Sequence, residues 1–426
     1  MEVDRIVRLV TETLPEVNDP PGIEYLNPDS SAYKINTLYH VSVPELHEQR
    51  LIELLSKQPE LSQYDGGNAS RSPSSSQSVR LKNFSDWILA QSRFRDPKEV
   101  VNQLETFVNQ NTTTCTEVVV FWGIHPAEIV EVYNGIKLLP LESLAASVPK
   151  EDLIGVNRYV HPVDKSFSSS PRPRAALARE FEHSPILKVP GDSTKSGQDK
   201  SRQQLMEEIV HLLVVFDKTP VCKVAHWYQT EENTPLIGGV RAWSGISANL
   251  GSTLNKEIPQ KKYEATSLQS FIKQYVELKP EIKDQLRTPL ERLNSAMLWY
   301  SSGDVYNAAI DLRTAMESLL TYDLEHDAPI AFNIRLRGAL LLGGEYNVKN
   351  WNYERFKLLY KICSHAVHKG KVKRTYSYTT LENVKERKSP HSVLAEGFEL
   401  HTQLIEKIIE DGEFPDWDKL VLGITE

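Results

Sequence analysis

The chain has 426 residues, a formal net charge of −8 and a 40% share of hydrophobic residues. This length favours two domains, and the composition is that of an ordinary globular protein. The acidic balance argues against a protein that coats nucleic acid through its overall charge, but it leaves room for a local basic patch.

Neither the start of the chain nor its apolar runs predict a membrane or secretory destination. The opening "MEVDRIVRLVTETL" is amphipathic and contains acids, unlike a signal peptide. The longest apolar runs, such as "IVHLLVVF" at 209–216, are far shorter than a membrane span. Cys115, Cys222 and Cys363 are too few and too far apart for a disulfide framework. These features predict a cytoplasmic protein that does not bind membranes.

The first 110 residues predict four helices and one loop. Apolar residues recur at helical spacing in residues 4–14, and Pro44 lies near the start of a second helix, where proline is tolerated. Two further helices are indicated by "LKNFSDWILAQS" and "DPKEVVNQLETFVNQ". The glycine- and serine-rich tract at 64–78 has almost nothing to bury, so it predicts a mobile loop.

From Glu117 the sequence pattern changes from helices to strands. The β-branched and aromatic run "EVVVFWGI" is typical of a buried strand. In "AEIVEVYNGIKLLPL" the pair Asn134-Gly135 separates two apolar segments and predicts a hairpin. Two more strands are indicated by "AALAREFEHSPILKV" and "VCKVAHWYQ", with a helix at 201–216 between them. Residues 1–260 therefore predict a mixed α+β domain.

The remainder of the chain, residues 266–426, predicts an all-helical bundle. Pro280 and Pro289 are expected to break or bend its first helical stretch, and Asp304 is a candidate N-cap for the next helix. The later helices are indicated by "IAFNIRLRGALLLGG", "WNYERFKLLYKICSHAVH" and "SVLAEGFELHTQLIEKIIEDG". Short connections make neighbouring helices antiparallel. In the fourth of these five helices we expect one stripe to be buried: Phe356, Leu359, Tyr360, Cys363 and Val367.

The end of that helix, "YKICSHAVHKG" at 360–370, carries the residues with the most chemistry. His365 and His368 lie three residues apart on one helix face, and a metal site with Cys363 is conceivable. Cys363 lies on the apolar stripe, however, so the sequence favours a cysteine that packs as a small hydrophobic side chain. His368 is open to two interpretations: a general acid or base, or a helix-terminal histidine that interacts with the helix dipole.

The helical half resembles the Apea-like branch of the HEPN family. The resemblance rests on the order "AAIDLRTAMESLL", "RLRGALLLGG", "LLYKICSHAVHKG" and "FPDWDKL". In that family the signature helix ends in tyrosine, two residues, arginine-serine, two residues and valine-histidine-glycine. Tyr360, Ser364, Val367 and His368 occupy the matching positions, and the glycine comes one residue late at Gly370. The α+β half also looks like the region that often precedes such a domain.

The resemblance implies RNA chemistry in a bacterial toxin-type or anti-phage defence protein. HEPN domains commonly form homodimers through their signature helices and cleave RNA without metal. In such a reaction a histidine transfers a proton while an arginine neutralises charge on the phosphorane. The resemblance implies no cofactor, and it gives the N-terminal domain a sensor or recognition role towards a trigger protein or nucleic acid.

One position departs from the family pattern, because Cys363 stands where the signature has arginine. Losing one transition-state contact of this kind lowers a rate by about 10²–10³-fold. Lys361, Lys369, Lys371 and Arg374 are the candidates for compensation, although none has the family's spacing. The sequence therefore leaves two hypotheses open: a metal-independent endoribonuclease, and a non-catalytic module that binds RNA, a nucleotide or a partner protein.

The candidate site residues follow from this resemblance. His368, Glu317 and Ser364 are the catalytic candidates, with Glu317 either a buried acid that reaches the signature helix or an ordinary boundary glutamate. A second set is predicted to contact RNA phosphates: Lys361, Lys369, Lys371, Arg374 and Arg335. An arginine on a helix such as Arg335 is also compatible with a simple solvated surface.

Overall fold

The computed structural model describes most of the chain and shows a mixed fold of helices and antiparallel strands. The described residues are 1–19, 41–62, 64–72, 75–110, 112–145, 147, 149–150, 153, 173–183, 186–187, 194–230, 234–235, 258–324, 328–379 and 384–423. The helices are α1 Val3–Thr13, α2 Glu45–Ser56, α3 Leu81–Ser92, α4 Pro97–Asn109, α5 Thr194–Asp217, α6 Ala265–Glu277, α7 Pro280–Ser301, α8 Val305–Leu320, α9 Ile330–Leu341, α10 Tyr346–Lys369, α11 Pro390–Asp411 and α12 Trp417–Leu422. The strands are β1 Asn68–Ser72, β2 Ser75–Ser78, β3 Thr113–Trp122, β4 Val130–Tyr133, β5 Ile136–Pro140, β6 Ala175–His183, β7 Ile186–Leu187, β8 Cys222–Thr230, β9 Tyr376–Thr379 and β10 Lys385–Lys388.

The first four helices form a core of their own. Their buried side chains include Leu51, Phe84 and Trp87, all 1% exposed or less. The start of α4 follows the expected local rules: Pro97 occupies its first turn, and the side chain of Asp96 accepts a hydrogen bond from the Lys98 amide. All four helices predicted from apolar spacing in this region are confirmed.

The second layer is a five-stranded antiparallel sheet with the order β4-β5-β6-β3-β8. Its first hairpin turns at Asn134 and Gly135, whose φ angles are 40° and 78°. Positive φ at both positions fits a type I′ turn, in which the backbone twist matches that of the flanking strands. The hairpin and the strands predicted in "EVVVFWGI" and "VCKVAHWYQ" are therefore confirmed, whereas "AALAREFEHSPILKV", predicted as one strand, holds β6 and β7 of two different sheets.

The prediction of a loop at 64–78 was wrong. Within this tract β1 pairs with β2, beginning at Asn68 and Ser78, and β1 also pairs with β7 on its other edge. Backbone hydrogen bonds from β1 to β2 and β7 stabilise this segment, although its small polar side chains do not predict strands. The partner β7 lies more than a hundred residues further along the chain, where a local pattern cannot reveal it.

The bundle of α6 to α12 differs from the prediction at a hairpin between two of its helices. Of the two prolines expected to break or bend the first helical stretch, Pro280 begins α7, and Pro289 lies within α7 without ending it. The strands β9 and β10 form a hairpin between α10 and α11, so residues 266–426 are not helical throughout. Asp304 caps α8 as predicted, through a hydrogen bond from the Asn307 amide to its carboxylate.

The helix α10 packs closely against its neighbours. A Cβ atom added at Gly338 would lie 2.7 Å from the Phe356 ring, and one at Gly397 would lie 2.7 Å from Leu359, so α9 and α11 approach α10 where they carry glycine. Phe356, Leu359 and Cys363 are buried as predicted. Tyr360 is half-buried, and Val367 is 42% exposed; the buried residue in this turn of α10 is its neighbour Ala366.

One hydrophobic core runs from the sheet into the bundle. Val119 and Phe121 on β3 belong to the same cluster of buried residues as Leu213 on α5, Leu312 on α8 and Ile405 on α11. The opposite sheet face, with Trp227 at its centre, forms a separate cluster. The domain boundary near residue 260 stays a prediction. No helix in the described ranges has the length and apolar character needed to cross a membrane.

The middle of the sheet holds a buried charged cluster that the sequence did not indicate. Glu117 on β3 is 1% exposed, and its carboxylate is 2.9 Å from His226 Nε2 and 2.8 Å from the Arg179 guanidinium. Burial raises the pKa of Glu117, but its bonds to His226 and Arg179 outweigh burial and lower the pKa overall. A charged carboxylate is therefore compatible with this interior position.

The buried imidazole of His401 should make the bundle sensitive to acid. Its pKa is lowered to about 3, mainly by burial, and neither ring nitrogen makes a hydrogen bond of good geometry, although the Pro289 carbonyl is nearby. The folded-state pKa lies below the unfolded value of 6.5. The unfolded state therefore takes up a proton on this histidine first, and the free energy of unfolding decreases as the pH falls from 6.5 towards 3.

We expect His401→Leu to be neutral or stabilising at pH 7 and to gain about 2 kcal/mol over the wild type at pH 5, at about 1.4 kcal/mol per pH unit below 6.5. Urea unfolding at the two pH values measures this gain. The control is His391→Leu, which replaces an exposed histidine on the same helix. Equal acid sensitivity in all three proteins would contradict the prediction.

Candidate functional site

The candidate site lies where the middle of α8 meets the C-terminal end of α10. The helix α8 starts from its Asp304 cap, and α10 ends at Gly370, whose φ of 61° is the left-handed conformation typical of a helix stop. His368 therefore sits in the last turn of α10, where it is exposed to solvent.

Arg313 on α8 is the central residue of the site, and the sequence analysis missed it. Its Nε donates to Glu317 Oε1 at 2.6 Å, and its Nη1 lies 3.3 Å from His368 Nε2. The Tyr360 hydroxyl donates to the same Glu317 oxygen at 3.3 Å, and the guanidinium lies over the Tyr360 ring at 5.2 Å. We call Arg313, Glu317, Tyr360 and His368 the arginine–histidine cluster.

The spacing of Arg313 and Glu317 was the signal that could have revealed this residue. Residues four apart share a helix face, so an arginine four positions before Glu317 must lie beside it. The four cations predicted as replacements all lie on α10 or on the run after it. The structure supplies the guanidinium from another helix, 55 residues away in sequence.

The electrostatics of the cluster keep Arg313 charged and Tyr360 protonated. Burial lowers the pKa of Arg313, but the hydrogen bond and the charge of Glu317 outweigh burial and raise the pKa overall. Burial is also the main reason why the pKa of Tyr360 is raised. Tyr360 therefore donates a hydrogen bond to Glu317, and both contacts hold the carboxylate against the guanidinium.

Cys363 lies beneath this cluster and is fully buried. Burial raises the pKa of its thiol to about 12, so the sulfur is a neutral thiol near pH 7. A neutral buried thiol is neither a nucleophile nor a metal ligand. This position confirms the prediction that Cys363 packs as a small hydrophobic side chain.

His365 takes part in a different contact from His368. Its Nδ1 is 3.2 Å from the hydroxyl of Tyr376, which also accepts a hydrogen bond from the Lys373 amide at 3.1 Å. Burial, followed by the charges of Lys369 and Lys373, lowers the pKa of His365. The Tyr376 hydroxyl thus links His365 to the Lys373 amide, and the turn after α10 is fixed to the helix. Across the described ranges, no group of histidine, cysteine and acidic side chains could hold a metal ion.

The other residues predicted from the signature lie near the cluster without direct bonds to it. Ser364 is half-buried, one turn before His368 on α10. The four cations proposed as replacements are exposed on α10 or on the turn after it: Lys361, Lys369, Lys371 and Arg374. They can contribute positive potential beside His368, but in the described structure it is Arg313 that contacts the imidazole.

Arg335 is not part of this site. Its Nε donates to the Ala331 carbonyl at 2.6 Å, and its guanidinium lies over the Tyr353 ring at 5.5 Å. Tyr353 precedes His368 by 15 residues on α10, which corresponds to roughly 22 Å along a helix. Arg335 is therefore too far from the cluster to bind the phosphate that reacts there, and it could contact only a more distant part of an RNA.

The cluster can bind an anion and move a proton. The Nε of Arg313 is occupied by Glu317, and its Nη1 lies against His368, which is exposed to solvent. An arginine N–H can only donate, so the lone pair of His368 Nε2 accepts the hydrogen bond in this contact. The same lone pair could accept a proton once Arg313 no longer occupies it. A phosphate oxygen bound by the guanidinium would displace this contact and release Nε2 for chemistry.

Comparison of the chain with protein-family models, with curated proteins and with solved structures finds no match.

Proposed function

We propose that the C-terminal helices form a HEPN-type site that cleaves RNA without metal, and that Arg313 takes the role of the signature arginine that Cys363 replaces. The observation that carries this proposal is the 3.3 Å contact between Arg313 Nη1 and His368 Nε2. A cation and an exposed histidine in contact are the two groups that the reaction needs, and they now come from two helices.

The proposed reaction is an internal phosphoryl transfer. The 2′-oxygen of a ribose bonds to the adjacent phosphorus while the bond from phosphorus to the 5′-oxygen breaks, which leaves a 2′,3′-cyclic phosphate and a 5′-hydroxyl. The 2′-hydroxyl gives up one proton and the leaving oxygen gains one. His368 Nε2 performs one of these transfers, and the Arg313 guanidinium binds the phosphorane oxygens, where negative charge increases.

Glu317 and Tyr360 act in this proposal as positioning residues. Glu317 accepts a hydrogen bond from Arg313 and another from Tyr360, so the guanidinium is held from one side with its Nη1 directed towards His368. A guanidinium that is already oriented loses less freedom when it binds phosphate.

A second copy of the chain would complete the site as the family resemblance implies. The end of α10 exposes His368 and Val367, so two such ends can meet without unfolding. In a homodimer through these helices, the second His368 would perform the other proton transfer.

Binding without cleavage is the second candidate function. One observation favours it: Glu317 already holds Arg313 at 2.6 Å, which neutralises part of the charge needed at the phosphorane. In that case the cluster and the lysines after α10 would bind RNA, and His368 would contribute little to affinity.

The test is incubation of purified protein with RNA in the presence of a metal chelator. We expect cleavage that yields cyclic phosphate ends and that His368→Ala abolishes, since no other described histidine contacts Arg313. Lys369→Ala, Lys371→Ala and Arg374→Ala should each weaken it. His391→Ala, an exposed histidine on α11, serves as the control.

Three results would separate the alternatives. Cleavage that persists in His368→Ala would contradict the proposed mechanism. Binding that depends on the basic residues, without cleavage in any variant, would support the non-catalytic function. In a defence role, expression of the active protein should arrest growth, and His368→Ala should relieve the arrest.

A further inference from the structure

The β9–β10 hairpin, which directly follows the site, has one face fixed to the bundle. Tyr376 is 2% exposed within the main core. Tyr378 packs against Trp351 with ring centroids 6.2 Å apart, and Lys388 bonds to Glu396 on α11 at 2.5 Å. The hairpin therefore has a defined inner face that packs on α10 and α11.

The opposite face of this hairpin presents unpaired cations. Side chains alternate along a strand, so Lys385 and Arg387 lie on the face opposite Glu386 and Lys388. Arg387 pairs in register with Ser377 on β9. The side chains of Ser377, Lys385 and Arg387 are all exposed. Neither Lys385 nor Arg387 has a carboxylate within ion-pair distance in the part of the chain that the structure describes.

These two cations continue a basic strip that begins at the site. Residues 361–378 contain five lysines and arginines and no acid, in a chain with more acids than bases overall. The turn of this strip is held in place, because the Tyr376 hydroxyl bonds both to His365 and to the Lys373 amide. The strip thus leads from His368 to the outer face of the hairpin.

We propose that the outer face of the β9–β10 hairpin, through Lys385 and Arg387, binds the phosphate backbone of a single-stranded RNA whose reacting bond lies at the arginine–histidine cluster. This inference rests on the proposed function and adds a second contact for the same substrate. A polyanion of regular charge suits cations spaced along a strand and a turn. A single strand is favoured because its 2′-hydroxyl is free to turn into line for displacement.

The experiment measures how salt affects RNA binding by Lys385→Ala/Arg387→Ala. Each phosphate neutralised on a single strand contributes about 0.7 to the slope of log affinity against log salt. We expect the double variant to flatten this slope by about 1.4 and to bind about 25-fold more weakly at about 0.1 M salt. A fluorescent single-stranded RNA, in a His368→Ala background that prevents cleavage, is the probe.

The matched control is Lys98→Ala/Lys137→Ala, which also removes two exposed positive charges, from α4 and β5. If both double variants change the slope and the affinity equally, the hairpin has no special role and the inference is overturned. It is also overturned if polyglutamate of matched charge binds as tightly as RNA and loses as much affinity in the hairpin variant, because the face would then recognise acidic protein segments.

The failure of this inference can be told apart from the failure of the proposed function. RNA that is bound and cut, but bound equally well by the hairpin variant, overturns the hairpin contact alone. A wild-type protein that neither binds nor cuts RNA overturns both.

Discussion

Under the proposed function, replacing Arg313 with alanine should lower the rate of RNA cleavage by about 10²–10³-fold, the loss that follows removal of one transition-state donor. The reason is that Arg313 is the guanidinium in contact with His368, and Cys363 beneath it is a neutral thiol. Arg313→Lys should recover only part of the activity, because lysine keeps the charge but not the planar group that contacts Glu317 and His368 together.

The measurement is steady-state cleavage of a short RNA, with kcat and KM determined separately. A loss in kcat places Arg313 at the transition state, whereas a rise in KM alone would mean that it binds the ground state only. Arg287→Ala is the control, since Arg287 also pairs with an acid on its own helix, Asp284, at 2.6 Å. A wild-type kcat in Arg313→Ala would contradict the assigned role.

Local sequence signals predicted most elements of the fold. Period-3.6 runs marked the helices around the site, and Asp304 and Gly370 marked the ends of α8 and α10. Asn134-Gly135 marked a hairpin because few other pairs adopt positive φ at both positions. In each case the decisive interaction lies within a few residues of the signal.

The predictions failed where the decisive partner is distant in sequence. The serine-rich β1 is ordered by pairing with β7, and Glu117 is buried because β6 and β8 bring Arg179 and His226 beside it. No run of neighbouring residues carries that information. Val367 was wrongly placed in the core, because the buried residue in that turn is Ala366, and neighbouring residues on a helix point about 100° apart.

The candidate site shows the same division. His368 and Glu317 were predicted from the signature spacing, and the structure places both against one guanidinium. The arginine itself could not be assigned from α10, because the contact depends on how α8 packs across it. A search along the face of α8 that carries Glu317 would have found Arg313, since the two residues are one turn apart.

Restoring arginine at position 363 should destabilise the protein rather than repair it. Cys363 is fully buried and lies close enough to Arg313 for its charge to affect the thiol. A second guanidinium there would be buried without a partner of its own, which costs about 3–5 kcal/mol. Cys363→Met, which adds length but no charge, should cost about 1–3 kcal/mol from overpacking. Urea unfolding of the two variants separates charge from volume.

The exchange Arg313→Cys/Cys363→Arg tests whether Glu317 can pair with an arginine on α10 as it does with Arg313 on α8. With Arg313 removed, Glu317 is free to pair with an arginine at 363, because it already interacts electrostatically with both positions. The exchange variant should therefore be about 1–3 kcal/mol more stable than the sum of the two single changes. Additive losses would show that Glu317 cannot reach the new arginine. If Cys363→Arg alone is as stable as Cys363→Met, burial within one bundle does not penalise arginine at position 363, and a cleft between two copies would be the place that receives the guanidinium.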